Sequence, residues 1–141
     1  MRQWSKSSKS KLDTCHPELQ LLANEVLKII DCTVVYGHRN EEEQNRLFAD
    51  KKSKLQYPDS NHNSLPSVAI DLIPYIPGVE AYDREYILFF SGVVLGVAAK
   101  LYEEGKMTHK IRWGGNWSTK VDKNFKTVSF FDGGHYELRG E

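Results

Sequence analysis

Apolar positions recur along this chain with two different periods, one typical of helices and one typical of strands. From Pro17 onward the apolar residues fall three or four positions apart, which predicts a helix with one buried face. A second helix is predicted over 41–50 with Asn40 as its cap, and a third from the cap Asp83 to about residue 104. The stripe of the first helix comprises Leu19, Leu22, Ala23, Val26, Ile29 and Ile30.

Five short segments have the alternation or the β-branched content expected of strands. In the clearest of them, 68–73, successive side chains would point to opposite faces, so Asp71 and Ile70 would face opposite ways. The turn Asp132-Gly133-Gly134 is predicted to join the last two segments as a hairpin. The order of the elements indicates an α+β domain. The five segments are 33–36, 68–73, 111–113, 128–131 and 135–138.

Length and charge fit one domain that does not bind nucleic acid. The chain has 141 residues, which suits one modest hydrophobic core. Residues 1–13 are rich in serine and lysine and are expected to form a flexible lead-in, which leaves 14–141 as the single folded domain. Lysine plus arginine balances aspartate plus glutamate, 19 against 19, so the basic surface of a nucleic-acid-binding protein is not predicted.

The cysteines and the apolar runs indicate where the protein is made. Cys15 and Cys32 flank the first predicted helix, whose length of roughly 22 Å separates them too far for a disulfide. Free thiols fit a reducing cytoplasm. No apolar run follows the basic start, and the run 87–99 is shorter than the ~20 residues of a membrane span. We therefore expect synthesis in soluble form, without stable membrane insertion.

Two separate segments carry candidate metal ligands. His62 precedes the strand that contains Asp71, and His135 opens the last predicted strand. Two imidazoles and a carboxylate make the three-ligand set of a catalytic zinc ion, which keeps a fourth position for water. A carboxylate in an apolar strand is costly unless it is paired, coordinated or exposed to solvent. Each residue alone also has a plainer explanation, with Asp71 on a solvated face and His135 hydrogen-bonded in a hairpin.

Asp132 and two tryptophans each allow two interpretations. Asp132 lies three residues before His135, where it would serve as a general base beside a metal-bound water. Asp-Gly is equally a good turn sequence that needs no catalytic role. Trp113 and Trp117 would either wall a groove for substrate or pack over the core.

Five motifs follow one another along the chain, and together they are more specific than any one alone. They are Gly37-His38-Arg39, Glu43-Gln44, Ser60-Asn61-His62, Ala69-Ile70-Asp71 and Asp132-Gly133-Gly134-His135. The set resembles the zinc peptidases related to D-alanyl-D-alanine carboxypeptidases, which include lysostaphin-like enzymes and the hedgehog signalling domain. More narrowly, the chain resembles phage endolysins that act as L-alanyl-D-glutamate endopeptidases. Eight residues separate His62 from Asp71, more than in the commoner family pattern.

The resemblance implies a fold and a role for each motif residue. The fold would be a small antiparallel sheet with flanking helices, as in the hedgehog and D-alanyl-D-alanine peptidase domains. One zinc ion would be bound by His62, Asp71 and His135, with Asp132 as the general base. Arg39 would stabilise the oxyanion or hold a substrate carboxylate, although a surface salt bridge with the glutamates at 41–43 is an alternative. Further substrate contacts are expected at Ser60, Gln44 and Trp117.

The resemblance also implies a biological setting. The enzyme would hydrolyse the L-alanyl-D-glutamate bond in the stem peptides of bacterial peptidoglycan. It would be made in the host cytoplasm, act as a monomer, and reach the wall after holin-type release during host lysis. A D-alanyl-D-alanine carboxypeptidase or dipeptidase and an inactive zinc-binding module for wall recognition are the alternatives.

Overall fold

The computed structural model describes residues 1–123 and 130–140, and it has the predicted α+β fold. A single 3-10 turn, Asn61–Asn63, interrupts the long polar stretch before the second strand. The elements in chain order are α1 (Lys6–Leu12), α2 (Pro17–Leu27), β1 (Cys32–Tyr36), α3 (Glu41–Ala49), β2 (Ala69–Pro74), α4 (Arg84–Glu103), β3 (Lys110–Trp113) and β4 (His135–Arg139).

The four strands form one antiparallel sheet in the order β1-β2-β4-β3. β2 and β4 lie side by side at its centre, and their register makes Asp71 and His135 direct cross-strand partners. Directly opposite residues in an antiparallel pair have β-carbons about 5 Å apart. The pairing of two distant segments therefore brings two candidate metal ligands together.

The core lies between the sheet and its helices. α2 and α4 pack against each other and both contact β2, which is buried along its whole length. Cys15 and Cys32 are buried and unbridged, in agreement with the sequence prediction. Among the described helices, α4 alone is long and apolar enough to cross a membrane, a test that core helices of soluble proteins also pass. The largest fully buried side chains of the core include Leu12, Leu19, Leu22, Ile70, Leu72, Phe90 and Tyr136.

The start of the chain differs from the flexible lead-in that its composition predicts. Residues 6–12 form α1, where the Ser5 hydroxyl caps the helix by accepting a hydrogen bond from the Ser8 amide. Leu12 is 1% exposed, and the buried Ser8 hydroxyl accepts a hydrogen bond from the Val34 amide of β1. Only these two residues of α1 are buried, so a composition rich in serine and lysine does not reveal that the helix packs on the edge of the sheet.

The predicted hairpin around Asp132-Gly133-Gly134 also differs from the structure. Residues 128 and 129 of its first strand lie outside the described residues, and Phe130 and Phe131 are not in a strand. Instead β4 pairs with β2 and β3, and its register sets Tyr136 opposite Trp113. Apolar cross-strand pairs of this kind stabilise a sheet and so support the pairing of β4 with β3.

Candidate metal centre

The side chains of His62, Asp71 and His135 converge on one point at the end of the sheet. His62 Nε2 lies 3.1 Å from Asp71 Oδ1 and 3.3 Å from His135 Nδ1. His135 Nδ1 lies 3.3 Å from the same Asp71 oxygen. All three residues are buried, with exposed fractions of 1%, 8% and 7%. The three predicted ligands thus form a compact triangle of one oxygen and two nitrogens.

Local hydrogen bonds hold His62 in place. It lies in the 3-10 turn, which Ser60 caps by accepting a hydrogen bond from the His62 amide at 3.2 Å. The Asn63 side chain accepts from the Ser60 amide at 3.0 Å and completes a reciprocal cap. The Arg39 amide donates to the His62 carbonyl at 2.8 Å. A two-sided cap of this kind fixes the direction of the turn, and with it the imidazole.

The hydrogen bonds behind each imidazole decide which nitrogen faces the triangle. His62 Nδ1 lies 2.7 Å from the Gly37 carbonyl, which only accepts, so this nitrogen carries the proton. His135 Nε2 lies 2.7 Å from the Glu137 carboxylate and carries a proton for the same reason. In the neutral rings, His62 Nε2 and His135 Nδ1 therefore present lone pairs to each other and to Asp71.

This arrangement fits a tetrahedral metal ion. Three acceptor atoms repel one another unless a cation lies between them. Zinc bonds of 2.0–2.1 Å with tetrahedral angles place neighbouring ligand atoms roughly 3.3 Å apart. The three observed separations are 3.1, 3.3 and 3.3 Å. The donor set of two imidazole nitrogens and one carboxylate oxygen also matches that of catalytic zinc sites.

Charges around the triangle favour a bound cation. Burial opposes ionisation of Asp71, yet the neighbouring His62 and His135 hold the pKa of that carboxyl well below its usual range. Burial alone would lower the pKa of His135, but its hydrogen bonds with Asp71 and Glu137 raise it to about 9, so a metal ion that binds Nδ1 at neutral pH takes the place of a proton on this nitrogen. Arg39 donates from a guanidinium nitrogen to Asp71 Oδ2 at 3.0 Å, which leaves Oδ1 for the triangle.

Asp132 lies beside the triangle and lines the neighbouring cleft. Its Oδ2 is 4.0 Å from His135 Nδ1, and its side chain is 40% exposed. Burial raises the pKa of Asp132, and the negative charge of Asp71 raises it further, whereas the charges of His135, His62 and Arg39 lower it. A carboxylate beside the three candidate ligands, with a raised pKa, is suited to accept and return a proton.

Two predicted substrate residues have structural roles. Gln44 is fully buried, and its amide bonds to Arg39, Asn63, Ser53 and the Leu55 carbonyl. The prediction that Gln44 contacts substrate is therefore wrong, because every polar atom of its side chain is used inside the protein. Gln44 instead holds the guanidinium of Arg39. Ser60 caps the His62 turn and also lines the cleft described next.

A cleft of about 320 Å³ opens beside the triangle. Arg39, Asp132 and Trp117 line it together with two of the three ligands. The Trp117 ring lies 5.3 Å from the His135 ring, and its indole donates to the Phe130 carbonyl at 2.7 Å. Trp117 is thus placed as a cleft wall, as one interpretation of the sequence held. Trp113 is buried in the core and donates to the Gly133 carbonyl.

Sequence reasoning missed Glu137 and Arg112. Glu137 is 5% exposed and joins His135 to Arg112, whose guanidinium donates to Glu137 Oε2 at 2.7 and 3.0 Å. The sequence contained a signal for Glu137. It follows His135 by two positions, and residues two apart on a strand share a face of the sheet. A carboxylate behind a metal-binding histidine fixes its orientation and its tautomer.

A second group of possible ligands lies elsewhere in the molecule, formed by His16, Glu18 and His109. Its carboxylate is already saturated, since Glu18 accepts from the amides of Thr108 and His109 and from the Thr108 hydroxyl. His16 Nδ1 accepts the Glu18 amide at the start of α2. These contacts explain why the three side chains lie together, because they join the start of α2 to the turn before β3.

Comparisons with known proteins identify the family and the fold of this chain. The model of the phage L-alanyl-D-glutamate peptidase family matches residues 1–139. Among solved structures, the L-Ala D-Glu endopeptidase ChiX of Serratia marcescens is similar at 22% identity and a TM-score of 0.70. The match covers 96% of this chain and 89% of that chain and shows a shared fold. No match was found among curated proteins. The family match over nearly the whole length confirms what the motifs predicted: the chain belongs to the phage L-alanyl-D-glutamate peptidases and is a peptidase.

Proposed function

We propose that this protein is a zinc-dependent endolysin-type peptidase that cleaves the L-alanyl-D-glutamate bond in peptidoglycan stem peptides. The metal ligands are His62, Asp71 and His135. Family membership supports the bond and the wall substrate. The observation that carries the metal assignment is the triangle of three lone-pair-bearing atoms with the edge lengths of a tetrahedral zinc site.

The chain's own residues supply the proton transfers and the charge stabilisation. Zinc, when bound, would polarise the scissile carbonyl and lower the pKa of a coordinated water to about 7. Asp132 accepts a proton from the attacking water and later delivers one to the leaving amine. Arg39 holds Asp71 and provides a permanent positive charge beside the carbonyl oxygen on which negative charge develops. Ser60 and Trp117 line the cleft in which the peptide would bind.

Metal analysis tests the ligand assignment. Zinc content is measured after dialysis for the unaltered chain, for His135→Ala and for His109→Ala. His109 belongs to the second ligand group, so it is a matched control for adventitious binding. We expect one equivalent of zinc in the unaltered chain and in His109→Ala, and almost none in His135→Ala. A full equivalent in His135→Ala would contradict the assignment.

Digestion of purified peptidoglycan tests the reaction. Mass spectrometry of the products should show stems cut between L-alanine and D-glutamate. Loss of only a terminal D-alanine would instead identify a carboxypeptidase. Asp132→Asn keeps the size of the side chain but removes the base, so kcat should fall by at least 100-fold while zinc remains bound. Unchanged kcat in this variant would remove Asp132 from the mechanism.

The cellular route completes the proposal. The enzyme is made in the cytoplasm of the host, is not inserted in the membrane, acts as a monomer and reaches the wall through a holin-type opening. The phage family supports this route, and the free buried thiols Cys15 and Cys32 fit a reducing compartment. Co-expression tests it, since lysis should require a holin, and light scattering of the purified protein should give the monomer mass.

A further inference from the structure

Four cationic side chains line the cleft, and two of them are free to bind a substrate. Arg39 is used by Asp71, and Arg112 forms an ion pair with Glu137. The other two, Lys52 and Lys54, are exposed on the cleft wall, and neither pairs with a carboxylate within 4.0 Å in the part of the chain that the structure describes. Apart from Arg39, which the proposed function assigns to the oxyanion, the positive charge available to a ligand is therefore concentrated on these two lysines.

The placement of Lys54 supports a binding role. Its Nζ lies 5.1 Å from the centre of the Phe130 ring, which forms part of the same cleft. A cation held over an aromatic face is attracted to it, so the ammonium stays near the cleft. Asp59 also lines the cleft, but among the described residues no ion pair joins it to either lysine.

The positive charge of Lys52 and Lys54 favours a substrate group with a negative charge. On the basis of the proposed function, we infer that Lys52 and Lys54 bind the free carboxylate of the D-glutamyl residue, and so select stems with this group over stems in which it is amidated. Glutamate has two carboxyl groups, and only one of them forms the amide bond to the next residue of the stem peptide. The other remains charged within about one residue, roughly 3.5 Å of chain, of the bond that is cut. Lysine suits this contact because its ammonium acts as a mobile point charge.

Paired peptides test the inference. One contains L-alanyl-D-glutamate with a free side carboxylate, and the other is identical except for a carboxamide at that position. The zinc-loaded enzyme should show a kcat/KM about tenfold higher for the acid, mainly through KM, since exposed ionic contacts contribute up to about fivefold each. In Lys52→Gln/Lys54→Gln the ratio of the two kcat/KM values should fall toward one, because the acid loses a charged contact that the amide never makes. Lys51→Gln is the control, since Lys51 lies in the same loop and does not line the cleft.

The outcomes separate this inference from the proposed function. Equal rates for the two peptides in the unaltered enzyme, or a preference that survives in the double variant, would overturn the role of the lysines. Cleavage of neither peptide would refute the proposed bond instead. In that case calorimetry with zinc-loaded Asp132→Asn still decides the matter, because tighter binding of the acid that depends on Lys52 and Lys54 supports the inference and equal binding overturns it.

Discussion

Replacement of Glu137 by alanine should weaken zinc binding without removing any ligand. Glu137 Oε1 accepts the proton on His135 Nε2 at 2.7 Å, which turns Nδ1 of the same ring toward Asp71 and His62. Without Glu137 the ring can rotate, and its other tautomer becomes accessible. Loss of such an outer hydrogen bond typically reduces metal affinity 10- to 100-fold, or about 1.4–2.7 kcal/mol.

The assay is titration of metal-free protein with zinc in the presence of a competing chelator. Glu137→Gln should bind zinc more tightly than Glu137→Ala, since its amide oxygen can still accept from His135. Glu104→Ala is the control, because Glu104 is an exposed residue at the end of α4. A zinc affinity of Glu137→Ala within twofold of the unaltered chain would refute the idea that Glu137 orients His135, provided that both proteins are folded.

Two further substitutions test the scaffold. Gly37→Ala should cost about 1–3 kcal/mol of stability, because an added β-carbon would clash with the Lys11 carbonyl and Thr14. It should also weaken zinc binding, since the Gly37 carbonyl holds the His62 ring. Urea unfolding and zinc titration measure the two effects, and an unchanged unfolding midpoint would contradict the first. Burial opposes ionisation of Glu18, but its hydrogen bonds from Thr108 and His109 lower its pKa from 4.5 to about 2. The stabilising effect of the ionised Glu18 is therefore complete above about pH 4.5 and is lost as the pH falls toward 2. Glu18→Gln should be about 1.5–3 kcal/mol less stable than the unaltered chain at pH 7, and this difference should shrink in acid. A difference independent of pH in urea melts would exclude this role.

The helices could be predicted well because their signals are local. Pro17 opens α2, and Asp83 caps α4 as expected. Asn40 and Glu43 form a reciprocal cap at the start of α3, with the Glu43 amide donating to Asn40 at 2.8 Å. Each of these signals depends on residues within four positions of one another, so a single sequence contains all the information needed.

The sheet could be predicted only in part, because pairing between strands is not local. Alternation shows that Asp71 and Ile70 face opposite ways, but it does not tell which strand lies beside β2. The turn sequence Asp132-Gly133 favoured a local hairpin, whereas β4 pairs with β3, which lies more than twenty residues earlier. The candidate metal ligands were predicted from the combined motifs, and the register that joins Asp71 to His135 came from the structure alone.

Buried polar side chains explain the errors at the site itself. Gln44 stands in a motif with Glu43, and its neighbours in sequence are polar, so nothing local indicates that it is fully buried. Its amide serves four partners contributed by three different segments of the chain. Whether a polar residue faces substrate or protein depends on such distant partners, and pattern reasoning cannot assign them.

The N-terminal segment, which contains none of the motif residues, supports His62, the candidate ligand that lies outside the strands. Thr14, in the turn after α1, accepts the His38 amide with its hydroxyl at 2.9 Å and the Ser67 amide with its carbonyl at 2.9 Å. Gly37, beside His38, in turn holds the imidazole of His62. Both ends of the segment 38–67, which contains α3 and His62, are thus tied to one turn near the start of the chain. Functional sites tolerate displacements of only about 0.5 Å, so we expect the candidate metal site to depend on the N-terminal turn through these hydrogen bonds.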